Sequence, residues 1–223
     1  MSALVTVPAG ALPVGTTVSV YPVTNASALA SDVPPGQTYL LSFSVSWEAP
    51  GGGAPAATAP ITMTITDPSI VAGDVIYAVT STGVREVGKA TVNGTVTVTF
   101  TNDPVFLVAS VPKITVSSKG VLSHATLPVK LSCVAAPCNG TVSLTESVTV
   151  RVKRGKKAHT EKKTLVLGSV AYHVAAGHQT TVKLKVNSLG RKTLARVAHH
   201  SLRETLSATV VGGSPVSRTI SVS

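Results

Sequence analysis

The chain has 223 residues and a formal net charge of +10, a length that suits one large or two ordinary domains, each able to bury a core. Only 4% of the residues are aromatic, which argues against ring-stacking sites for sugars or single-stranded nucleic acid. No run approaches the roughly 18 consecutive apolar residues that a membrane-spanning helix needs, so no transmembrane segment is predicted.

Charge is divided unevenly along the chain. Two basic and six acidic residues precede position 111, whereas 17 basic and three acidic residues follow it, and all six histidines lie in this second half. Such an abrupt change in charge indicates two domains with different surfaces, and we assign residues 1–110 to the first and 111–223 to the second.

The first half consists of short segments in which apolar and polar residues alternate. This period of two is typical of strands with one buried face, and Gly- and Pro-containing turn signals separate the segments. The predicted strands are "ALVTV", "TVSVYPV", "YLLSFSVSW", "ITMTIT", "VIYAVTS", "GTVTVTFT" and "VFLVAS".

The opening segment "VTVPAGALPVGTTVSVYPV" resembles the start of ZU5-type β-sandwich domains, and the later strands keep that family's order. The resemblance covers about residues 3–109 and depends mainly on Pro8, Gly10, Ala11 and Leu12. It implies a β-sandwich fold for residues 1–110.

Some ZU5-related domains cleave themselves in their last hairpin at a His-Phe-Ser-like step, which here corresponds to Thr99-Phe100-Thr101. Such cleavage needs a hydroxyl nucleophile and a base that deprotonates it. Thr101 offers the hydroxyl, but Thr99 replaces the histidine. We therefore predict no cleavage at Phe100-Thr101.

The second half continues the alternation over about seven strands, the number expected of an immunoglobulin-like sandwich. A short helix is predicted near 189–199, with Asn187 or Ser188 as its N-cap. The predicted strands are "KITVSS", "LPVKLSCV", "GTVSLTESVTVRVKR", "EKKTLVLGSVAYHVAA", "QTTVKLKVNS", "ETLSATVV" and "SRTISVS".

Cys133 and Cys138 are the only cysteines, and they flank a turn in "LSCVAAPCNGTVSL". A strand-turn-strand path brings two such residues within reach of a disulfide, which would stabilise the fold by roughly 2 kcal/mol. Two buried thiols are the alternative, whereas a zinc site would need further ligands at suitable spacing. A disulfide would indicate an oxidising compartment, so we expect an extracellular or cell-surface location.

The segments "LSCVAAPCNGTVSL", "LGSVAYHVAAGHQTTVKLKV" and "GRKTLARV" resemble immunoglobulin-like modules of exported proteins from high-GC Gram-positive bacteria, over about residues 113–223. The resemblance implies a spacer or adhesion module and no catalytic residue. The fold class predicted for the whole chain is therefore all-β, with a ZU5-like sandwich followed by an immunoglobulin-like one.

The most basic segment is "RVKRGKKAHTEKK", at residues 151–163, which follows the strand that contains Val148 and Val150. The pattern predicts a solvated hairpin with its turn at residues 154–157, whose lysines also discourage edge-to-edge sheet pairing. The alternative is a site for an anionic polymer such as a cell-wall polymer, an acidic polysaccharide or nucleic acid. Its candidate residues are Arg151, Lys153, Arg154, Lys156, Lys157, Lys162 and Lys163.

No motif in the sequence predicts catalysis, a metal site or a cofactor. The nine acidic residues are scattered, and no nucleophile elbow or phosphate-binding loop is present. His199 and His200 are adjacent, so their side chains diverge on a helix, whereas a hairpin could bring His173 and His178 together.

From these observations we expect a non-enzymatic structural or adhesion module whose partners are other surface proteins or further copies of the chain. Sequence-specific binding of nucleic acid is not expected, because the basic run lacks interleaved aromatic residues.

Overall fold

The structure is a computed structural model that describes residues 1–23, 26–154, 157–195 and 202–223. The chain forms two compact units, Met1–Val111 (unit 1) and Pro112–Ser223 (unit 2). It is almost entirely β, with two short helices among the described residues, which confirms the predicted all-β fold class. No helix of the described residues is long and apolar enough to cross a membrane.

Unit 1 contains two antiparallel sheets, one of three strands in the order β1-β4-β7 and one of five strands in the order β2-β3-β8-β5-β6. Its elements are β1 (Ser2–Thr6), β2 (Thr17–Pro22), α1 (Ala26–Ala30), β3 (Thr38–Glu48), β4 (Ile61–Thr66), β5 (Val75–Thr80), β6 (Gly83–Lys89), β7 (Thr95–Phe100) and β8 (Val105–Ser110).

The core of unit 1 lies between the inner faces of these sheets. Ile61, Met63 and Ile65 of β4 are fully buried, and they belong to the same apolar cluster as Phe43 of β3 and Phe106 of β8. The two phenylalanine rings lie 5.3 Å apart. Alternation along each strand therefore produces a sandwich, because every second side chain is buried against the facing sheet.

Unit 2 has the same layered arrangement, with sheets in the orders β13-β10-β9 and β12-β11-β14-β15. Its elements are β9 (Lys113–Ser117), β10 (Thr126–Val134), β11 (Cys138–Arg154), β12 (Lys157–Val174), β13 (Gln179–Lys185), α2 (Ser188–Ala195), β14 (Leu202–Val210) and β15 (Val216–Val222). Leu127 and Leu131 from one sheet and Leu144 and Leu206 from the other are fully buried in a single cluster.

The predicted disulfide is confirmed, and it connects the two sheets of unit 2. Cys133 and Cys138 are bonded, with their Cα atoms 5.9 Å apart, and both are fully buried. Cys133 is in β10 of the three-stranded sheet, whereas Cys138 begins β11 of the four-stranded sheet. The bond therefore ties the sheets together where the chain crosses from one to the other.

Helix α2 confirms the described part of the predicted helix near 189–199, whose residues 196–199 lie outside the described ranges. Asn187 is its N-cap, because its side-chain oxygen accepts a hydrogen bond of 2.8 Å from the amide of Gly190. A Cβ at Gly190 would lie 2.6 Å from the carbonyl oxygen of Leu167. Only glycine lets the helix approach β12 this closely.

Two elements were not expected from the sequence. Strand β6 was missed because only Val84 and Val87 of its seven residues are large and apolar, and they do not alternate. As an edge strand, β6 is held by pairing with β5 rather than by a buried face of its own. Helix α1 has five residues, too few for a helical period to be visible.

The hairpin before β10 turns through two non-glycine residues with positive φ, His124 (48°) and Ala125 (58°). Ser123 and Thr126 exchange both backbone hydrogen bonds, at 2.9 Å each. This geometry is a two-residue hairpin loop of a type that normally contains Asn and Gly, because side chains with a Cβ are strained at positive φ.

We therefore predict that Ala125→Gly raises the free energy of unfolding of unit 2 by about 0.5–1 kcal/mol, since relief of strain exceeds the added entropy of the unfolded chain. Urea unfolding followed by far-ultraviolet circular dichroism measures this change. Fluorescence of Trp47, buried in unit 1, should be unaffected. As a control, Ala171→Gly within the paired part of β12 should destabilise unit 2, and an equal effect of both changes would contradict the argument.

Candidate binding surface

Strands β11 and β12 are the longest in the protein, with 17 and 18 residues, and they extend beyond the rest of their sheet. β11 pairs with β14 only from Gly140 to Thr145. Beyond this point, residues 146–154 and 157–165 pair only with each other among the described residues, and we call this two-stranded ribbon the arm. Nine residues per strand correspond to a length of roughly 30 Å.

The arm begins at an irregularity in the β11–β12 pairing. Leu144 pairs with Gly168 and Thr145 with Val166, so Leu167 is an extra residue on β12, and its side chain is fully buried. Asn187 fixes this bulge, because its side-chain nitrogen donates to the carbonyl of Val166 and its amide donates to that of Leu167, each at 2.8 Å. Such bulges bend a strand, so this one marks the place where the arm leaves the sheet.

The pairing register distributes the predicted basic residues over both faces of the arm. Thr149 pairs with Lys162 and Arg151 with Thr160, which places Arg151 and Lys162 on one face. Lys163 pairs with Val148 and therefore lies on the opposite face. All three cations are exposed.

The remaining predicted residues lie at the far end of the arm. Lys153 pairs with Ala158, and Arg154 pairs with Lys157, which ends the ladder where the turn was predicted. Lys156 lies outside the described residues, and the side chains of Lys153, Arg154 and Lys157 are not described. The structure thus brings the backbones of six of the seven predicted residues into one ribbon and describes three of their side chains.

Other lysines of unit 2 lie on a different sheet from the arm. Lys130, Lys183 and Lys185 are exposed on the outer face of the β13-β10-β9 sheet, so they do not extend the basic surface of the arm. Lys130 lines a groove of about 490 Å³ on this face together with Lys119 and Thr181. Arg203 belongs to the same sheet as the arm and is exposed on β14.

Among the described residues, no acidic side chain forms an ion pair with these exposed cations. The ion pairs among the described residues join Met1 to Asp67 and Lys89 to Glu86, all in unit 1. In the part of unit 2 that the structure describes, no ion pair is formed by the arm cations Arg151, Lys162 and Lys163. The lysines of the other sheet, Lys130, Lys183 and Lys185, form none either. The positive charge of the arm is therefore available to an external partner.

Glu204 of β14 is a buried acid at the base of the arm. Its side chain is only 1% exposed, and neither carboxylate oxygen has a hydrogen-bond partner among the described residues. Burial, followed by repulsion from Glu146, raises the pKa of Glu204 to about 7. By contrast, the buried Asp74 of unit 1 accepts hydrogen bonds from the amide of Val71 and the hydroxyl of Ser110.

Sequence reasoning missed Glu204, although the segment "RETLSATVV" contained a signal. Glu204 lies two, four and six residues before Leu206, Ala208 and Val210, which are buried. The alternation that predicted the strand therefore also placed this glutamate on the inner face.

We predict that unit 2 becomes less stable as the pH rises from about 4.5 to 7. In this range folded Glu204 keeps a proton that the unfolded chain loses, so the free energy of unfolding falls by roughly 3 kcal/mol in total. Unfolding at pH 5 and pH 8, followed by circular dichroism, measures the difference. Glu204→Gln should remove most of it, whereas Glu161→Gln on the exposed arm should not. A wild-type protein that gains stability over this range would contradict the assignment.

The Phe100-Thr101 peptide bond, at which ZU5-like cleavage would occur, lies at the end of β7. Thr99, Phe100 and Thr101 line a cavity of about 280 Å³ with Arg85 and Asn102, and unit 1 contains no histidine that could act as a base. None of these residues has a positive φ. The Thr101 carbonyl accepts a hydrogen bond of 2.7 Å from the amide of Ala57.

We accordingly expect the purified protein to remain a single chain of 22.6 kDa. Unit 1 offers a hydroxyl at Thr101 but no histidine to deprotonate it. A denaturing gel of protein kept for several days at neutral pH tests this expectation. Two fragments separated at Phe100-Thr101 would contradict it, provided that Thr101→Val abolishes them.

The described histidines belong to no cluster that could hold a metal. The Nδ1 atom of His173 is hydrogen-bonded to the side-chain oxygen of Asn139, its cross-strand partner, rather than paired with His178. No group of three or more potential ligands occurs among the described residues. His199 and His200 lie outside them.

The chain was compared with protein-family models and with curated proteins. No protein-family model matches the chain, and no curated protein matches it. The resemblances to ZU5-type and immunoglobulin-like domains therefore stay predictions, and the assignment of function depends on the surface alone.

Proposed function

We propose that the protein is a non-catalytic extracellular adhesion module that binds an anionic polymer through the arm of unit 2. In this proposal the two sandwiches act as a spacer that presents the arm to its partner. The observation that carries the proposal is the arm itself, a ribbon outside the sandwich whose described cations have no internal counterions.

The electrostatics of unit 2 support this function. Unit 2 contains 17 basic and three acidic residues, and one of those acids, Glu204, is buried. A polyanion that binds such a surface releases its condensed counterions, so affinity falls steeply as the salt concentration rises. The projection of the arm lets cations on both of its faces approach the polymer.

The disulfide supports the proposed location. Bonds such as Cys133–Cys138 form and persist in oxidising compartments and are rare in the cytosol of most organisms. A surface module also does not need catalytic machinery, and we assign no catalytic residue.

We predict that the protein is retained on heparin until roughly 0.5 M salt and that Arg151→Glu combined with Lys162→Glu weakens binding roughly tenfold at about 0.15 M salt. These cations share one face of the arm, so their reversal places two repulsive charges in the contact. Elution from a heparin column and titration with heparin at several salt concentrations provide the measurements.

A matched control uses the same change of charge on the other sheet of unit 2. Lys183→Glu combined with Lys185→Glu should leave most of the affinity, because these lysines lie on the outer face of β13. If both double variants bind equally weakly, net charge rather than the arm causes the attraction. If the wild-type protein elutes without added salt, the proposed function is wrong.

A further inference from the structure

The outer face of the four-stranded sheet of unit 2 is covered by hydroxyl groups. Strands β11, β14 and β15 each contain a Ser/Thr-x-Ser/Thr-x-Ser/Thr pattern, at residues 141–145, 205–209 and 217–221. The register aligns these patterns, with Thr145 beside Thr205 and Thr205 beside Thr219. We call the nine outward residues of these segments the hydroxyl face.

Several groups of the hydroxyl face are free to bind a partner. Thr205, Thr219 and Ser221 are exposed, and their hydroxyls form no hydrogen bond with described residues. Other hydroxyls of the face form hydrogen bonds with each other, as those of Ser207 and Ser217 do at 2.9 Å. Neighbouring strands are spaced by about 4.8 Å and alternate residues by about 6.7 Å, so the free groups form a regular array of donors and acceptors.

The hydroxyl face continues into one face of the arm. Along β11 the outward positions after Thr145 are Ser147, Thr149 and Arg151, and Thr149 pairs with Lys162. The same face therefore presents hydroxyl groups on the sheet and cations on the arm. Lys163 lies on the opposite face and does not belong to this surface.

From this continuity we infer that the polymer bound by the protein is an anionic polysaccharide. Its carboxylate or phosphate groups would pair with Arg151 and Lys162, while its sugar hydroxyls would exchange hydrogen bonds with the free groups of the hydroxyl face. The inference rests on the proposed function and adds the chemical class of the polymer.

The same surface disfavours the two other kinds of polyanion. Tyr172 is the only Phe, Trp or Tyr of unit 2, and it is buried, with its hydroxyl donating to the carbonyl of Thr209 at 2.7 Å. Bases of a single-stranded nucleic acid would find no Phe, Trp or Tyr ring on which to stack. A polyphosphate chain can accept hydrogen bonds from the hydroxyl face, but it has no hydroxyl groups that could donate to it, whereas a polysaccharide can do both.

The test compares binding of the full chain to polygalacturonate, inorganic polyphosphate and single-stranded DNA, at matched charge concentration and about 0.15 M salt. We expect Thr205→Val combined with Thr219→Val to weaken binding of polygalacturonate about five- to tenfold, because two hydrogen bonds are lost. Binding of polyphosphate should change less than about twofold, since it depends on charge. Valine keeps the β-branched shape, so the strands should remain intact.

Two controls separate a binding role from a structural one. Thr205→Ser combined with Thr219→Ser keeps the hydroxyls and should keep the affinity for polygalacturonate. In unit 1, Thr64 and Thr97 form a similar exposed hydroxyl pair, 3.0 Å apart and without an arm, so replacement of both by valine should have no effect.

The outcomes distinguish the inference from the proposed function. If the valine variant loses affinity for polygalacturonate and polyphosphate equally, or for neither, the polysaccharide assignment is overturned, whereas polyanion binding by the arm stands. If reversal of Arg151 and Lys162 changes none of the three affinities, the proposed function fails, and the inference fails with it.

Discussion

The alternation of buried and outward residues along each strand is the constraint on which both units depend. In β11, Val142 and Leu144 are buried in the core, and this fixes Thr141, Ser143 and Thr145 on the outer face. A shift of the pairing register by one residue would move every buried side chain of the strand to the outer face, and the core would be lost. The composition of the outer surface is therefore set by the packing of the interior.

The arm shows what happens where this constraint ends. Past Thr145, β12 is the only strand that pairs with β11 in the described part of the chain, and Val148 and Val150 are only half-buried. A two-stranded ribbon is marginally stable on its own in water. Here it grows out of a sheet that is anchored by the disulfide at Cys138 and by Asn187 at the bulge, so its first residues are held by the sandwich. Of its described apolar side chains, only Leu165 packs against the core cluster of unit 2.

Much of the fold was predictable because it is encoded locally. The predicted strands and the disulfide are confirmed, since alternation and a tight turn are features of neighbouring residues. Strand β6 was missed because its position is decided by its pairing partner β5 and not by its own pattern. The hydroxyl face was also visible as three repeated patterns of Ser and Thr, but their alignment requires strands that are up to 80 residues apart in the chain.

The sequence by itself determined most of the strands, the closeness of the two cysteines and the concentration of basic charge in the second half, because each follows from residue type and short-range spacing. Only the tertiary structure decided that Arg151 and Lys162 share one face of the arm, that Lys183 belongs to another sheet and that Glu204 lies beside Glu146. The physical reason is that backbone hydrogen bonds between distant strands select the register, and the register determines which side chains share a surface.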